Sequence, residues 1–277
     1  MTAPPTTTRW PNGARAAISF TMDNLGEAQD VNRGVWTAPI GTHPSITNQL
    51  PRMLDLLDTY NIKATYFIES WSLDVYPAAV AEIGRRGHEL AWHSYQHEVW
   101  SQLSAEDEAL NIQKSFDAAA KHGITYAGFR PPGGTVNERT WALLRERGLR
   151  YLSPLGELGI GPEGLVVLPF EWQTVDAHYY MGKFAALRQA NGLQVETLSP
   201  GYFRDYLVGK IEEVKRTGGY ISILFHPMLQ DSEEKFAMLE EVLKRLSGEG
   251  DIWLAPCDEV ARWVTEHKDA FEGVKDL

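Results

Sequence analysis

A chain of 277 residues is long enough to form one large domain with a substantial hydrophobic core. Its hydrophobic and charged fractions, 43% and 23%, are ordinary for a globular protein, and no apolar run is long enough to span a bilayer. The net charge of −11 argues against nucleic acid or a membrane as a partner, because both favour basic patches. The single cysteine, Cys257, excludes an internal disulfide framework, and the first residues lack an apolar signal segment, so we expect a cytoplasmic protein.

Strand and helix patterns alternate along the chain. Residues 1–9 are rich in Thr and Pro, and we expect them to form a flexible arm before a single domain over 10–277. Apolar runs predict strands over 16–22, 62–68, 90–92, 126–129, 151–153, 165–168, 220–225 and 252–254. Amphipathic patterns predict helices over 45–60, 76–86, 104–122, 136–147, 202–216, 233–246 and 256–268. Residues 30–44 and 171–200 are predicted to be irregular, and a stretch as long as the second is usually functional.

This alternation calls for a parallel sheet with helical crossovers. The number of units suits a closed or nearly closed (β/α) barrel of the TIM type, in one α/β domain. Active sites of such barrels lie at the carboxyl ends of the strands. The reactive side chains that follow four of the predicted strands are Asp23, His93, His97, Arg130 and His226. We therefore expect these five residues to meet at one end of the barrel.

Two of these residues, His93 and His97, are four positions apart directly after a strand. If a helical turn begins there, both imidazoles lie on one face. Two neutral imidazoles supply most of a site for zinc or a similar divalent ion. Spacing alone is equally compatible with two unrelated histidines. Asp23, Arg130 and His226, taken singly, each have a structural explanation as turn or core residues.

Four short motifs occur in order along the chain: FTMDN (20–24), HSYQH (93–97), RPPG (130–133) and LFHP (224–227). Together they resemble the polysaccharide deacetylase superfamily, the metal-dependent carbohydrate esterases related to nodulation-factor deacetylases. The resemblance extends from Trp10 to about Val264. It implies a distorted (β/α)7 barrel in which His93 and His97 bind a metal beside an aspartate. It also implies that His226 is the general acid and that Arg130 orients the catalytic carboxylate.

The first motif departs from the family pattern, which has two aspartates, a general base followed by a metal ligand. Here Asp23 is followed by Asn24. If the two family aspartates are adjacent, Asp23 is the base and Asn24 replaces the ligand. If they are one residue apart, Asp23 is the ligand and Thr21 occupies the position of the base. We favour Asp23 as the ligand, because it completes a three-ligand set with the two histidines, and the base would then come from elsewhere, with Glu27 as the candidate.

A narrower resemblance connects WPNGAR (10–15), the Trp172 and Asp176 region, and FHP (225–227) to a cytoplasmic branch with allantoinase-like and cyclic-imide amidohydrolases. The expected substrate is an oligosaccharide or small-molecule amide, and the sequence leaves a homo-oligomer open. Aromatic residues of the long irregular stretch are cleft candidates, although core packing would explain them equally well. The predicted substrate-binding residues are Asn24, Glu27, Pro132, Trp172, Tyr179 and Tyr180.

The mechanism expected from this set is hydrolysis of a C–N amide bond. A divalent ion, zinc first of all, held by Asp23, His93 and His97 would activate a water molecule. His226 would protonate the leaving nitrogen, and a carboxylate such as Asp176 would hold the pKa of His226 near neutrality. Two other classes remain: a barrel that binds a metal or ligand without turnover, because of the lost aspartate, and a non-haem iron oxygenase, which uses a similar ligand set.

Overall fold

The computed structural model describes residues 9–271, so the predicted N-terminal arm lies outside the described residues apart from Arg9. The strands are β1 (Ala16–Asp23), β2 (Thr65–Ile68), β3 (Glu89–Trp92), β4 (Gly128–Phe129), β5 (Tyr151–Leu152), β6 (Gly159–Ile160), β7 (Val166–Val167), β8 (Tyr220–Phe225) and β9 (Ile252–Leu254). The helices are α1 (Ala28–Asn32), α2 (Leu50–Thr59), α3 (Ser72–Val75), α4 (Pro77–Arg85), α5 (Ala105–Lys121), α6 (Thr140–Glu146), α7 (Asp176–Tyr180), α8 (Ala185–Ala190), α9 (Pro200–Thr217), α10 (Glu233–Gly248) and α11 (Cys257–Glu266).

All of these strands belong to one curled sheet in the order β6-β7-β5-β4-β3-β2-β1-β8. Neighbouring strands are parallel except β6, which is antiparallel to β7, and β9 pairs in parallel with the first residues of β1. A single parallel bridge between Val175 and Leu224 connects the chain beyond β7 to β8. The predicted α/β fold, a distorted seven-stranded (β/α) barrel with additional short strands, is therefore confirmed.

Alternate residues of β1 enter two different hydrophobic cores, as expected because side chains alternate across a strand. Ile18, Phe20 and Met22 pack outward in the large core beneath the helices. Ala17 instead belongs to the inner core, which also contains residues of α11. Helix α11 covers the amino-terminal end of the barrel, where the backbone N–H of Cys257 donates to Thr65 Oγ1 at 2.8 Å. The carboxyl end of the barrel is left for polar side chains.

The structure differs from the sequence predictions mainly in the connections. The stretch predicted to be irregular over 171–200 contains α7 and α8, and the first residues of the loop predicted over 30–44 belong to the short helix α1. The helix predicted over 45–60 begins with a π-helical turn, Ser45–Gln49. Helices of five or six residues are too short for a periodic pattern and depend on tertiary contacts. Among residues 9–271, none of the helices has the length and apolar character needed to cross a membrane.

Two glycines provide a matched test of the barrel packing. A Cβ atom on Gly128 would lie 2.0 Å from the ring of Tyr151, whereas a Cβ atom on Gly209, in α9, would meet no atom within 4 Å. We expect Gly128→Ala to lower the free energy of unfolding by about 1–3 kcal/mol, because the ring has to move within the packed interior. We expect Gly209→Ala to raise it by about 0.5–1 kcal/mol, since alanine favours an exposed helix. Urea unfolding measures both, and equal effects would contradict the packing described here.

Candidate active site

The reactive side chains of the barrel stand at the carboxyl ends of adjacent strands. Asp23 is the last residue of β1, and Glu69, His93 and Arg130 directly follow β2, β3 and β4. The paired positions Ile68 and Trp92 immediately precede Glu69 and His93, so those two side chains leave the sheet at the same level. Both side chains point into the barrel, because alternate residues of a strand face the same side. The structure therefore brings together Asp23, His93, His97, Arg130 and His226, as the sequence predicts, and adds Glu69.

Arg130 is the buried cation at the centre of this arrangement, with none of its surface exposed. Its Nη1 donates to Asp23 Oδ1 at 2.8 Å and to Thr21 Oγ1 at 2.9 Å. Its Nη2 donates to Ser222 Oγ at 2.8 Å and to Ser153 Oγ at 3.0 Å, and Nε also donates to Ser153 at 3.2 Å. The five contacts use the full donor capacity of the guanidinium. Asp23 Oδ1 is thereby fixed by Arg130, and the Asp23 side chain lines the cleft.

The two motif histidines meet through an unusual turn. The helical turn considered after β3 does not form, because Ser94 and His97 have positive φ angles of 67° and 64°. This turn brings the rings of His93 and His97 to a centroid distance of 4.9 Å. His93 Nδ1 donates to the carbonyl oxygen of Arg130 at 2.7 Å, and its Nε2 lies 3.7 Å from Asp23 Oδ2. In a neutral ring this arrangement leaves the lone pair on Nε2.

Burial keeps both histidines in their neutral form. It lowers the pKa of His93 to about 3, although the hydrogen bond to the Arg130 carbonyl opposes the shift. Burial, followed by the neighbouring His93, also lowers the pKa of His97 well below its usual value. The side-chain amide nitrogen of Gln29 lies 2.6 Å from His97 Nδ1. Neutral imidazoles are the form that binds metal ions.

Glu69 is the site residue that sequence reasoning missed. It is completely buried, and burial raises the pKa of its carboxyl group to about 7, against the hydrogen bond from the Leu25 N–H. Its ligand atom and those of His93 and His97 all lie within 4.8 Å of one another. The available signal was its position directly after the apolar run of β2, where the rule used for Asp23 and His93 applies equally.

Asn24 adopts a left-handed conformation with φ of 65° and is almost completely buried. Its Nδ2 donates to Glu69 Oε1 at 2.7 Å, and the backbone N–H of Leu25 donates to Oε2 at 2.8 Å. Asparagine tolerates this backbone region better than most residues. The amide that stands at the second motif position thus presents its donor to the carboxylate of the neighbouring strand.

His226 and Asp176 form a separate hydrogen-bonded pair, and His226 lines the same cleft as the two motif histidines. His226 Nδ1 lies 2.6 Å from Asp176 Oδ1, and the His226 backbone N–H donates to Oδ2 at 2.8 Å. Gln230 Nε2 donates to the same oxygen at 2.8 Å. Burial would lower the pKa of His226, but the charge of the Asp176 carboxylate and its hydrogen bond raise it above the usual value. The imidazole is therefore oriented and biased toward its protonated form.

A cleft of about 490 Å³, including its open mouth, lies between these groups. Its polar wall contains Asp23, Asn24, Gln29, His93, His97 and His226. The rest of the lining is mainly apolar and includes Trp172, which was predicted to bind substrate. The centroid of its ring lies 5.5 Å from that of Phe170 and 4.9 Å from that of Phe184. Lys183 also lines the cleft. Loop residues of the stretch 170–184 therefore cover one side of the reactive groups.

Four residues predicted to bind substrate do not line this cleft. Glu27 is buried, its Oε1 accepts from the Gly41 N–H at 2.7 Å, and its Oε2 accepts from the Tyr76 hydroxyl, so its carboxylate holds the loop after α1. Tyr179 packs on Phe203 at 4.5 Å. Pro132 and Tyr180 also lie outside the cleft. Their chain neighbours Pro131 and Met181 line it instead. The rings of Tyr179 and Tyr180 pack against Phe203.

The donor set fits a divalent metal ion. Two neutral imidazoles and a carboxylate form the set that catalytic zinc and non-haem iron use, with positions left for water and substrate. His93 donates its other ring N–H to a backbone carbonyl, which is the usual support of a metal-binding histidine. Glu69 belongs to the closely spaced group, and Asp23 stands beside it.

Comparisons with known proteins identify the relatives of this chain. Residues 38–152 match the family model of polysaccharide deacetylases. A peptidoglycan-N-acetylglucosamine deacetylase of Bacillus cereus is 32% identical over 111 residues, which cover 39% of this chain and 49% of that protein. The chain thus spans about half the length of this curated relative.

Solved structures extend the similarity to almost the whole chain. A Mycobacterium smegmatis protein described as a candidate polysaccharide deacetylase has a TM-score of 0.81 and 26% identity, over 97% of this chain and 96% of that one. The PuuE allantoinase shares the fold, with a TM-score of 0.78 and 17% identity over 94% of each chain. Together these similarities support the polysaccharide deacetylase superfamily for this chain.

The pair of Arg130 and Asp23 can be tested by a double-mutant cycle. We expect Arg130→Met to lower the free energy of unfolding by about 3–5 kcal/mol, because it leaves the Asp23 carboxylate, only 4% exposed, without its cation. With Asp23→Asn already present, the same change should cost less by about 0.5–3 kcal/mol. Urea unfolding of the four proteins at pH 7 measures the coupling. Additive effects would show that the two side chains do not stabilise each other.

Proposed function

We propose that this chain is a metal-dependent hydrolase of C–N amide bonds that removes acetyl groups from an N-acetylated sugar. The observation that carries the proposal is the presence of three groups around one cleft. These are the carboxylate of Asp23 fixed by Arg130, the paired imidazoles beside Glu69, and the oriented His226. Amide hydrolysis needs a base, an electrophile and an acid, and these groups supply residues for each role.

His93 and His97 would hold the ion together with a carboxylate, and zinc is the ion we propose. When bound, such an ion polarises the amide carbonyl and lowers the pKa of water. Two carboxylates, Asp23 and Glu69, stand beside the imidazoles. One can therefore complete the ligand set while the other accepts the proton of the attacking water. Arg130 keeps Asp23 in place without occupying both of its oxygens.

His226 is the proposed general acid for the leaving nitrogen. Asp176 accepts from Nδ1, so Nε2 is the atom that donates a proton into the cleft. The raised pKa of His226 keeps the ring protonated over a wider pH range. The amine produced by bond cleavage needs this proton in order to leave.

The sugar substrate is supported by the similarity to a relative named as a peptidoglycan-N-acetylglucosamine deacetylase. A second candidate is a small cyclic imide or ureide, as in the allantoinase-like branch. The apolar lining with Trp172 and Phe184, in a cleft of about 490 Å³ including its mouth, favours such a small substrate. Release of acetate from N-acetylglucosamine oligomers, compared with ring opening of allantoin and succinimide, distinguishes the two. Saturable binding without turnover of any of them would favour a barrel that only binds its ligand.

The metal requirement is tested on the two histidines. We expect His93→Ala and His97→Ala to abolish bound zinc and to lower amide hydrolysis at least about 100-fold, with an unchanged circular dichroism spectrum. His267→Ala, at an exposed position after α11, is the control and should retain both zinc and activity. Metal content by mass spectrometry and acetate release are the measurements. Full activity of the metal-free wild type would overturn the metal requirement.

The pH profile tests the pair of His226 and Asp176. Asp176→Asn removes the charge that raises the pKa of His226 and leaves the opposing effect of burial, so the pKa falls. We expect the alkaline limb of kcat/KM to move to lower pH, because the acid loses its proton earlier. Asp205→Asn, at an exposed position of α9, should leave the profile unchanged.

The same pair affects stability. Because the pKa of His226 is raised in the folded chain, its contribution is complete below the unfolded pKa of 6.5 and is lost as the pH rises through the folded value. The stability difference between wild type and Asp176→Asn should therefore shrink at alkaline pH. In the activity measurement, an alkaline limb of kcat/KM that stays at the same pH in Asp176→Asn would exclude His226 as the general acid.

A further inference from the structure

We infer that Glu69 is the carboxylate ligand of the metal ion and that it replaces the ligand lost at Asn24, which leaves Asp23 as the general base. This assignment rests on the proposed function, because it concerns the same metal site. It places the third ligand on β2 rather than on β1. It also differs from the ligand set predicted from the sequence, in which Asp23 joins the two histidines.

The position of β2 favours this assignment. The strand lies between β1 and β3, so the side chain that follows its carboxyl end stands between Asp23, at the end of β1, and His93, after the end of β3. The ligand atoms of Glu69, His93 and His97 lie within 4.8 Å of one another, a spacing that one ion can bridge with little rearrangement. Glu69 is also fully buried, so no bulk water competes for its carboxylate.

The hydrogen bonds of Glu69 orient the carboxylate without saturating it. Oε1 accepts from Asn24 Nδ2 and Oε2 accepts from the Leu25 N–H, one bond to each oxygen. A carboxylate oxygen has two lone-pair positions, so each oxygen keeps one for a metal ion. Hydrogen bonds of this kind are the usual support of a ligating carboxylate.

Asn24 and Glu69 form a matched pair. The amide of Asn24 donates to Glu69 at 2.7 Å, whereas an aspartate at this position would place a second negative charge against the same oxygen. Asparagine in place of aspartate at position 24 therefore removes a carboxylate ligand after β1. At the same time it provides an amide that positions Glu69, the ligand after β2. Asn24 acts as a positioning residue, through Glu69.

Asp23 is better placed for proton transfer than for metal binding. Its Oδ1 is held by the Arg130 guanidinium at 2.8 Å, and Oδ2 remains beside the imidazole of His93 at 3.7 Å. The guanidinium thus fixes the orientation of the Asp23 carboxylate through one oxygen, and the other oxygen is the one that would accept the proton.

The experiment compares two isosteric variants, Glu69→Gln and Asp23→Asn. Zinc affinity is measured by competition with a chromophoric chelator, and cobalt-substituted protein is examined by visible absorption. We expect Glu69→Gln to bind zinc at least about 100-fold more weakly and to change the cobalt spectrum. Asp23→Asn should keep zinc affinity within about tenfold and lose turnover. In thermal unfolding, added zinc should stabilise the wild type and Asp23→Asn but not Glu69→Gln.

The zinc-free proteins separate a ligand from a structural role. If Glu69 only held the turn at Asn24, Glu69→Gln would unfold more easily without zinc and bind zinc normally once folded, which would overturn the assignment. Normal zinc binding by Glu69→Gln together with loss of zinc from Asp23→Asn would restore Asp23 as the ligand, while the proposed hydrolase would stand. A wild type that binds no zinc or cobalt would overturn both. Glu69→Asp, which retains the charge on a shorter side chain, replaces Glu69→Gln if the latter does not fold, and it should also bind zinc more weakly.

Discussion

The buried guanidinium of Arg130 is the constraint on which the rest of the site depends. A charge without exposed surface is tolerated in a protein interior only when its hydrogen-bonding groups are satisfied. Arg130 meets this condition with side chains from β1, from β8 and from the residue after β5. Its side chain fixes Asp23 and its backbone carbonyl fixes His93, so one residue sets the orientation of both a carboxylate and an imidazole. The barrel interior is thus organised around a cation that never reaches solvent.

The alternation of side chains across each strand explains how the fold produces this site. Outward residues build the large core beneath the helices, and inward residues are apolar near α11 and polar at the opposite end. The last inward positions therefore carry the chemistry. His226, which is paired with Asp176, lines the same cleft as the two histidines, so a proton donor and a metal site would stand within one cavity. The apolar residues of the stretch 170–184 limit what can enter between them.

Much of this arrangement could be predicted from the sequence, because strands with strong apolar runs and the polar residues at their ends follow simple periodic rules. The order of strands and helices and the meeting of Asp23, His93, Arg130 and His226 belong to this class. The conformation of the turn at 93–97 could not be predicted, because nothing in the sequence indicates that two non-glycine residues there adopt positive φ angles. Glu27, Tyr179 and Tyr180 were predicted at the cleft from residue type, but the packing of their side chains depends on which neighbours the loops bring near. Glu69 directly follows the apolar run of β2, but it lies outside the four short motifs, so sequence reasoning missed it.

The central claim is that a carboxylate and two imidazoles at the ends of β2 and β3 hold a divalent metal ion. The most direct measurement is a crystal structure of zinc-loaded protein with diffraction data collected on both sides of the zinc absorption edge. The account predicts one anomalous peak bonded to Glu69, His93 and His97, with Asp23 still paired to Arg130. The absence of a peak at these residues, or a peak bonded to other side chains, would contradict it.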